Sequence, residues 1–248
     1  MIVLKNKDEI KKLHECNKIV LEVLDEVEMR IKSGVSTAEL DELATIETIK
    51  RGARPAFKGY RGYPKSLCTS INNEVIHGIP SSDRKLIDGD IIGIDYGVFF
   101  NGFYGDSART VKVGNISYIA EKLIDTARRA LLTAIDVAIA GNRIGDISST
   151  IQEVVESESF SVVRDFVGHG IGRELHEDPQ VPNYGKRGTG IRLKAGMVLA
   201  IEPMINVGKS DVFIEKNGWT ATTSDGSLSA HYEYSVAIDD NKSVILGR

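Results

Sequence analysis

Residues Gly93–Thr110 read GIDYGVFFNGFYGDSART, and this stretch decides the fold. It has the composition of two strands around Asn101-Gly102, a dipeptide suited to a two-residue hairpin because both turn positions need positive φ. Closing the turn there pairs Phe100 with Phe103, Phe99 with Tyr104, Val98 with Gly105 and Gly97 with Asp106. Side chains alternate along a strand, so Asp95 shares the face of Gly97. It then lies diagonal to Asp106, roughly 7–8 Å away between backbones. A carboxylate in an apolar sheet is costly to bury without a partner. Gly97 is expected to leave the space between the two acids free of a side chain. That gap suits one metal ion, or a pair about 3.5–4 Å apart, held by carboxylate oxygens.

The hairpin sits inside a repeat. Leu13, Cys16, Val20, Leu24, Val27 and Ile31 recur at helical spacing, and Gly34 ends that helix. Ser36-Thr-Ala-Glu39 has the form of a capping box and opens a second helix through Leu40, Leu43 and Ile46. A loop rich in Gly and Pro follows over 52–65, and strands are expected over 67–71, 91–99 and 103–113. Shifting the chain by 107 positions lays Gly34 on Gly141 and Leu40 on Ile147. The same shift lays GDIIGID on GMVLAIE, so that Asp95 coincides with Glu202. We read a duplicated α+β unit, with halves roughly 8–114 and 115–248, whose acidic strands face one cleft.

Composition bounds the function. The chain has 248 residues, 42% hydrophobic and 27% charged, an ordinary globular balance with ample core. A net charge of −4 without a long Lys/Arg block gives no footprint for sequence-specific nucleic acid binding. Cys16 and Cys68 are the two cysteines, so neither a disulfide framework nor a paired CxxC zinc site is available. No apolar run approaches the length of a membrane span, and the expectation is a cytoplasmic protein with reduced thiols.

Three further segments offer ligands. FVGHGIGRELHEDP sets His169 between two glycines, MVLAIEPM puts Glu202 at the end of a strand, and AHYEYSVAI sets Glu233 in alternation with His231 and Ser235. One imidazole among four carboxylates suits divalent ions such as Mn²⁺, Fe²⁺, Co²⁺ or Zn²⁺. Spacing alone does not single out these five residues.

Taken in order, Asp95, Asp106, His169, Glu202 and Glu233 resemble the dinuclear site of the methionine aminopeptidases. The stretches GHGIGRELHEDPQVPNYG and PAFKGYRGYPKSLCTSINNEVIHGIP are similar to that family's motifs, and the likeness runs from about Ile10 to Leu246. The resemblance implies a single catalytic domain over 1–248 with the pita-bread fold, two pseudo-symmetric halves around a central antiparallel sheet backed by helices. It implies two divalent metal ions per chain, with Co, Mn, Fe, Zn and Ni all open. Asp106 and Glu233 would bridge the ions, Asp95 would chelate one, and His169 and Glu202 would complete the other. Glu202 would also move the proton, while His77 and His176 would contact the amide and stabilise the intermediate. Phe57, Tyr60, Tyr63, Cys68, Leu175 and Trp219 would form the methionine pocket, with Phe57 and Leu175 departing from the residues of some relatives. His231 stands where many relatives carry Gln, and its face suggests an accessory contact to the metal-binding side chains.

The activity implied is excision of the N-terminal initiator methionine during protein maturation, ahead of a small second residue. Partners would be nascent polypeptide N-termini, with transient contact to the ribosome, no membrane and a monomeric state. Ile2 as second residue implies that this chain keeps its own Met1. An X-Pro aminopeptidase or prolidase, which shares fold and ligands, is the nearest alternative. A non-catalytic binding module on the same scaffold is the other.

Overall fold

Four helices and one large sheet place the candidate residues in a computed structural model that describes residues 2–248, so Met1 and its retention lie outside it. The helices are α1 (Lys7–Arg30), α2 (Thr37–Lys50), α3 (Tyr118–Val137) and α4 (Ile144–Ser157). Helix α1 begins a turn and a half before the apolar stripe, because Asn6 and Glu9 form a capping box, each bonding the other's backbone N–H. Ser36 and Glu39 cap α2 in the same way, as expected from their spacing. Ile46, counted with the apolar run of that helix, is instead 43% exposed.

The sheet strands used below are β1 (Leu67–Ile71), β2 (Ile91–Phe100), β3 (Phe103–Lys112), β4 (Gly168–Gly170), β5 (Glu177–Val181), β6 (Val198–Ile201) and β7 (Glu233–Ala237). They run β2-β3-β7-β6-β4-β5 across a nine-stranded sheet in which every pairing is antiparallel, with β1 also on β2. The β2–β3 register matches the hairpin expectation throughout: Gly97 faces Asp106 and Phe100 faces Phe103. Asn101 and Gly102 have φ of 50° and 84°, the positive values such a turn demands.

A shift of 107 carries α2 onto α4 and the end of α1 onto the end of α3. Tertiary pairings repeat with the same offset. The bridge Ser36–Lys85 becomes Arg143–Arg192, and the bond Gly34 N to Leu86 O becomes Gly141 N to Leu193 O. The two helix pairs pack on one face of the sheet. Helices α1 and α2 cover Ile92, Ile94, Tyr96 and Val98 of β2. Helices α3 and α4 cover Leu199, Ile201, Tyr234 and Val236. Because side chains alternate, the opposite face of those strands is left for Asp95, Gly97, Ala200, Glu233 and Ser235.

The segment AHYEYSVAI is not one strand. Ser229–His231 pairs with Met204–Asn206 in a separate three-stranded sheet, and the ladder resumes at Glu233. Pro203 follows Glu202 and has no N–H to donate, and its carbonyl accepts from Tyr232 N instead. Among the described residues no helix is long and apolar enough to cross a membrane.

Candidate active site

The ligand face is a chequerboard of acids and small residues. In one row Gly97 faces Asp106, Asp106 adjoins Ser235, Ser235 faces Ala200, and Ala200 faces His169. In the next row Cys68 faces Asp95, Asp95 faces Ala108, and Ala108 faces Glu233. Glu202 lies just past the Ile201–Tyr234 pair, beside Glu233. Each long polar side chain is thus flanked by Gly, Ala or Ser, and the small neighbours let the acids lean together. Ala108 and Ala200, which the sequence reading passed over, serve this purpose.

Gly97 has a different role from the one expected of it. A Cβ there would stand 2.5 Å from Phe57 Cε1, and two other ring carbons would lie 3.1 Å away. The space above Gly97 is filled by the Phe57 ring rather than left open. Residues 54–55 pair with Phe99 and Val98 along the edge of the sheet, and the chain continues from there to Phe57, whose ring lies against Gly97.

Asp106, His169 and Glu233 each offer a ligand atom within 4.8 Å of the others. Asp95 Oδ1, Asp106 Oδ1 and Glu233 Oε1 are buried without a hydrogen-bond partner, an arrangement native interiors rarely tolerate unless something else is bound there. His169 Nδ1 lies 2.8 Å from the Gly170 carbonyl, which accepts its proton and leaves the Nε2 lone pair free; Nε2 is 3.6 Å from Glu202 Oε1. His231 is 4% exposed, and its Nε2 stands 3.8 Å from Glu202 Oε2, so it reaches the ligand set although it belongs to another sheet.

The electrostatics point the same way. Burial, more than mutual repulsion, pushes Asp95 up to about 7 and raises Asp106, Glu202 and Glu233 well above the usual carboxylate range. Burial also holds His169 and His77 down at about 4 and His176 and His231 at about 3, so these imidazoles are neutral at pH 7. Four carboxylates that cannot all ionise unaided, beside a neutral imidazole, form a donor set that fits divalent cations.

A cavity of about 190 Å³ opens over this face. All six residues expected of the methionine pocket line it, as do His77 and His176. Its closed end is apolar: Tyr63, Cys68 and Leu175 are each under 5% exposed, and the Tyr63 hydroxyl donates away to the carbonyls of Leu67 and Gly78. His77 holds a left-handed backbone, φ 59°, and its ring meets Phe166 and Trp219 edge-on. His176 stacks on Tyr60, whose hydroxyl lies 2.9 Å from His176 Nδ1. Ile76, Phe166, Val167 and Arg61 also line the cavity and were not anticipated. The first three adjoin His77 and the His169 motif in sequence, so nearness along the chain was an available signal. Arg61 offered none.

An antiparallel sheet that gathers four acids and a histidine on one face, under a closed apolar pocket, is the architecture of a metallohydrolase. The comparisons agree. The description "Metallopeptidase family M24" matches residues 11–240. The chain is 54% identical over 246 residues to the methionine aminopeptidase of Clostridium acetobutylicum, covering 99% of this chain and 98% of that one. It is 48% identical over 248 residues to methionine aminopeptidase 1 of Bacillus subtilis, with both chains fully covered. The crystal structure of methionine aminopeptidase from Thermotoga maritima superposes with a TM-score of 0.98 at 44% identity, covering 100% of both chains. A prolidase from Pyrococcus furiosus shares the fold at a TM-score of 0.77 and 24% identity, and the match spans 65% of that longer chain. This chain belongs to metallopeptidase family M24, with the pita-bread fold. Within the family its full-length likeness is to the methionine aminopeptidases.

Proposed function

We propose that this chain is a metal-dependent methionine aminopeptidase that removes the initiator methionine from nascent proteins and peptides in the cytoplasm, favouring a small second residue. The observation that carries the reading is the face itself: Asp106, His169 and Glu233 offer ligand atoms within 4.8 Å of one another, and Asp95 and Glu202 line the same cavity beside an apolar end. The side chains of Asp95, Asp106, His169, Glu202 and Glu233 would hold two divalent ions. Ions bound there supply Lewis acidity and a water of lowered pKa.

The rest follows from the chain's own residues. The apolar end, with Tyr63, Cys68, Leu175 and Trp219, takes an unbranched thioether by dispersion and exclusion of water. A closed end that takes one side chain would limit cleavage to the N-terminal residue. Glu202 would take the nucleophile's proton and return it to the leaving amine. His77 and His176, both neutral at pH 7, would donate to the amide and to the developing oxyanion, each contribution on the order of 3 kcal/mol. Tyr60 donates to His176 Nδ1 and so fixes the proton on Nε2.

Release of free methionine separates this reading from a prolidase. Metal-loaded protein is expected to cleave Met-Ala-Ser and to leave Ala-Pro and Gly-Pro peptides intact; the reverse preference would overturn it. Metal content of protein purified without oxygen, compared with activity, addresses which ion is used.

A further inference from the structure

Arg61 is the one cation lining the active cavity, and it has no assigned role. It is exposed at the tip of a tight turn closed by the bond from Gly59 N to Tyr63 O, with a left-handed backbone at φ 50°. No ion pair joins it to a carboxylate among the described residues; its guanidinium lies 5.4 Å from the centre of the Tyr60 ring. Tyr60 stacks on His176 at 5.3 Å, and His176 packs against His169 at 4.2 Å. These four side chains line the same cavity and form a continuous ladder from the candidate metal centre outward.

Charge balance gives the ladder a purpose. Four carboxylates at the centre are matched by two divalent cations under the reading above, on which this inference rests. Arg61 is then the uncompensated charge on the cavity wall. On that reading, a peptide seated with its amino end at the centre would leave past His176 and Tyr60, on the side of the cavity where His176 and Arg61 are exposed. Extended chain advances about 3.4 Å per residue. The two outer steps of the ladder therefore correspond to roughly two or three residues beyond the cleaved bond.

We propose that Arg61 forms a subsite for a carboxylate on the leaving side of the substrate, giving preference for an acidic side chain at the third or fourth residue. A guanidinium matches a carboxylate in planar, bidentate geometry and is already oriented here by the Tyr60 ring. Because the site is exposed, the expected preference is modest, about two- to fivefold.

The test uses C-terminally amidated peptides, Met-Ala-Glu-Gly and Met-Ala-Gly-Glu, with Gln and Lys counterparts at each position. The metal-loaded wild type should show a higher kcat/KM for Glu than for Lys, by about two- to fivefold at low salt, and the difference should shrink as salt is added. Arg61→Gln should abolish the difference and Arg61→Glu should invert it. Free-acid and amidated Met-Ala-Gly distinguish a chain-end carboxylate from a side chain. Binding of the product peptides Ala-Glu-Gly and Ala-Lys-Gly, followed by fluorescence of Trp219, the chain's single tryptophan, reads the subsite without turnover. Equal affinity for the two products, or the same Glu/Lys ratio in Arg61→Gln as in wild type, would overturn the proposal. Failure to release methionine from any of the peptides would instead count against the aminopeptidase reading, and the product-binding arm would still decide the subsite.

Discussion

The Phe57 ring occupies the volume that a side chain at position 97 would need, with Cε1 2.5 Å from the place of a Cβ. Gly97 faces Asp106 across the hairpin and lies two residues from Asp95, so the ring caps the strand beside both acids. The two positions should therefore behave as a coupled pair. Gly97→Ala forces the ring into the pocket, an overpacking cost of about 1–3 kcal/mol that should lower methionine release roughly tenfold or more. Phe57→Ala removes the obstacle and deepens the pocket. The double variant should release methionine faster than Gly97→Ala alone. Losses that simply add in a double-mutant cycle would show that the contact does not govern the pocket.

Metal removal should invert the pH dependence of stability. In the metal-free fold Asp95 is held up at about 7, against an unfolded value near 4. The folded state then binds that proton more tightly than the unfolded chain does. Its contribution to stability is complete below about pH 4 and is lost as the pH rises towards 7. Chelator-treated protein should melt at a lower temperature at about pH 7.5 than at about pH 5.5, and Asp95→Asn should flatten the difference. Saturating divalent metal should raise Tm most at the higher pH, because metal and protons compete for the same oxygens. A metal-free Tm that rises over this range equally in both proteins would contradict the burial argument.

Lys5 holds the loop that carries Leu175 and His176. Its ammonium contacts Glu177, whose carboxylate also accepts from Arg173 N at 2.8 Å and Glu174 N at 3.3 Å. The lysine and glutamate side chains are 3% and 12% exposed. Breaking such a buried pair from one side leaves a charge stranded, at a cost of about 3–5 kcal/mol. Lys5→Met should lower Tm and reduce kcat through a disordered His176, with metal content unchanged. An unaltered melting curve would show the pair to be energetically neutral.

His231 Nε2 lies 3.8 Å from Glu202 Oε2 without a hydrogen-bond partner of its own, a position from which it would support Glu202 once a metal is bound. Outer contacts of this kind are worth about 10- to 100-fold in metal affinity or activity. His231→Leu should therefore weaken metal binding by about tenfold. Unchanged metal affinity, measured by calorimetry, would reduce His231 to a packing residue.

Much of this was legible because the informative features are local. Asn101-Gly102 fixes the hairpin register, and register alone puts Asp95 and Asp106 on one face. The 107-residue offset was visible in Gly34, Gly141, Asp95 and Glu202, and it recurs in the spans of α2 and α4. What escaped depends on segments far apart in sequence. The reason for Gly97 lies in Phe57, which a separate loop delivers. The break at Tyr232, where the chain leaves one sheet for another, follows from Pro203, which sits between two strands of the neighbouring segment. Arg61 gains its position from Tyr60 and His176, residues whose contact is tertiary. The ligand set itself came from resemblance, since alternation and spacing select faces rather than five particular residues.

The most direct measurement is release of free methionine from Met-Ala-Ser by wild type and by Asp106→Ala, each with its bound divalent metal quantified. Rapid, chelator-sensitive release by the wild type is expected, with about two ions per chain, the occupancy of a two-metal hydrolase. The variant is expected to lose both metal and activity. Release by Asp106→Ala at the wild-type rate, or no release by fully metal-loaded wild type, would contradict the aminopeptidase reading.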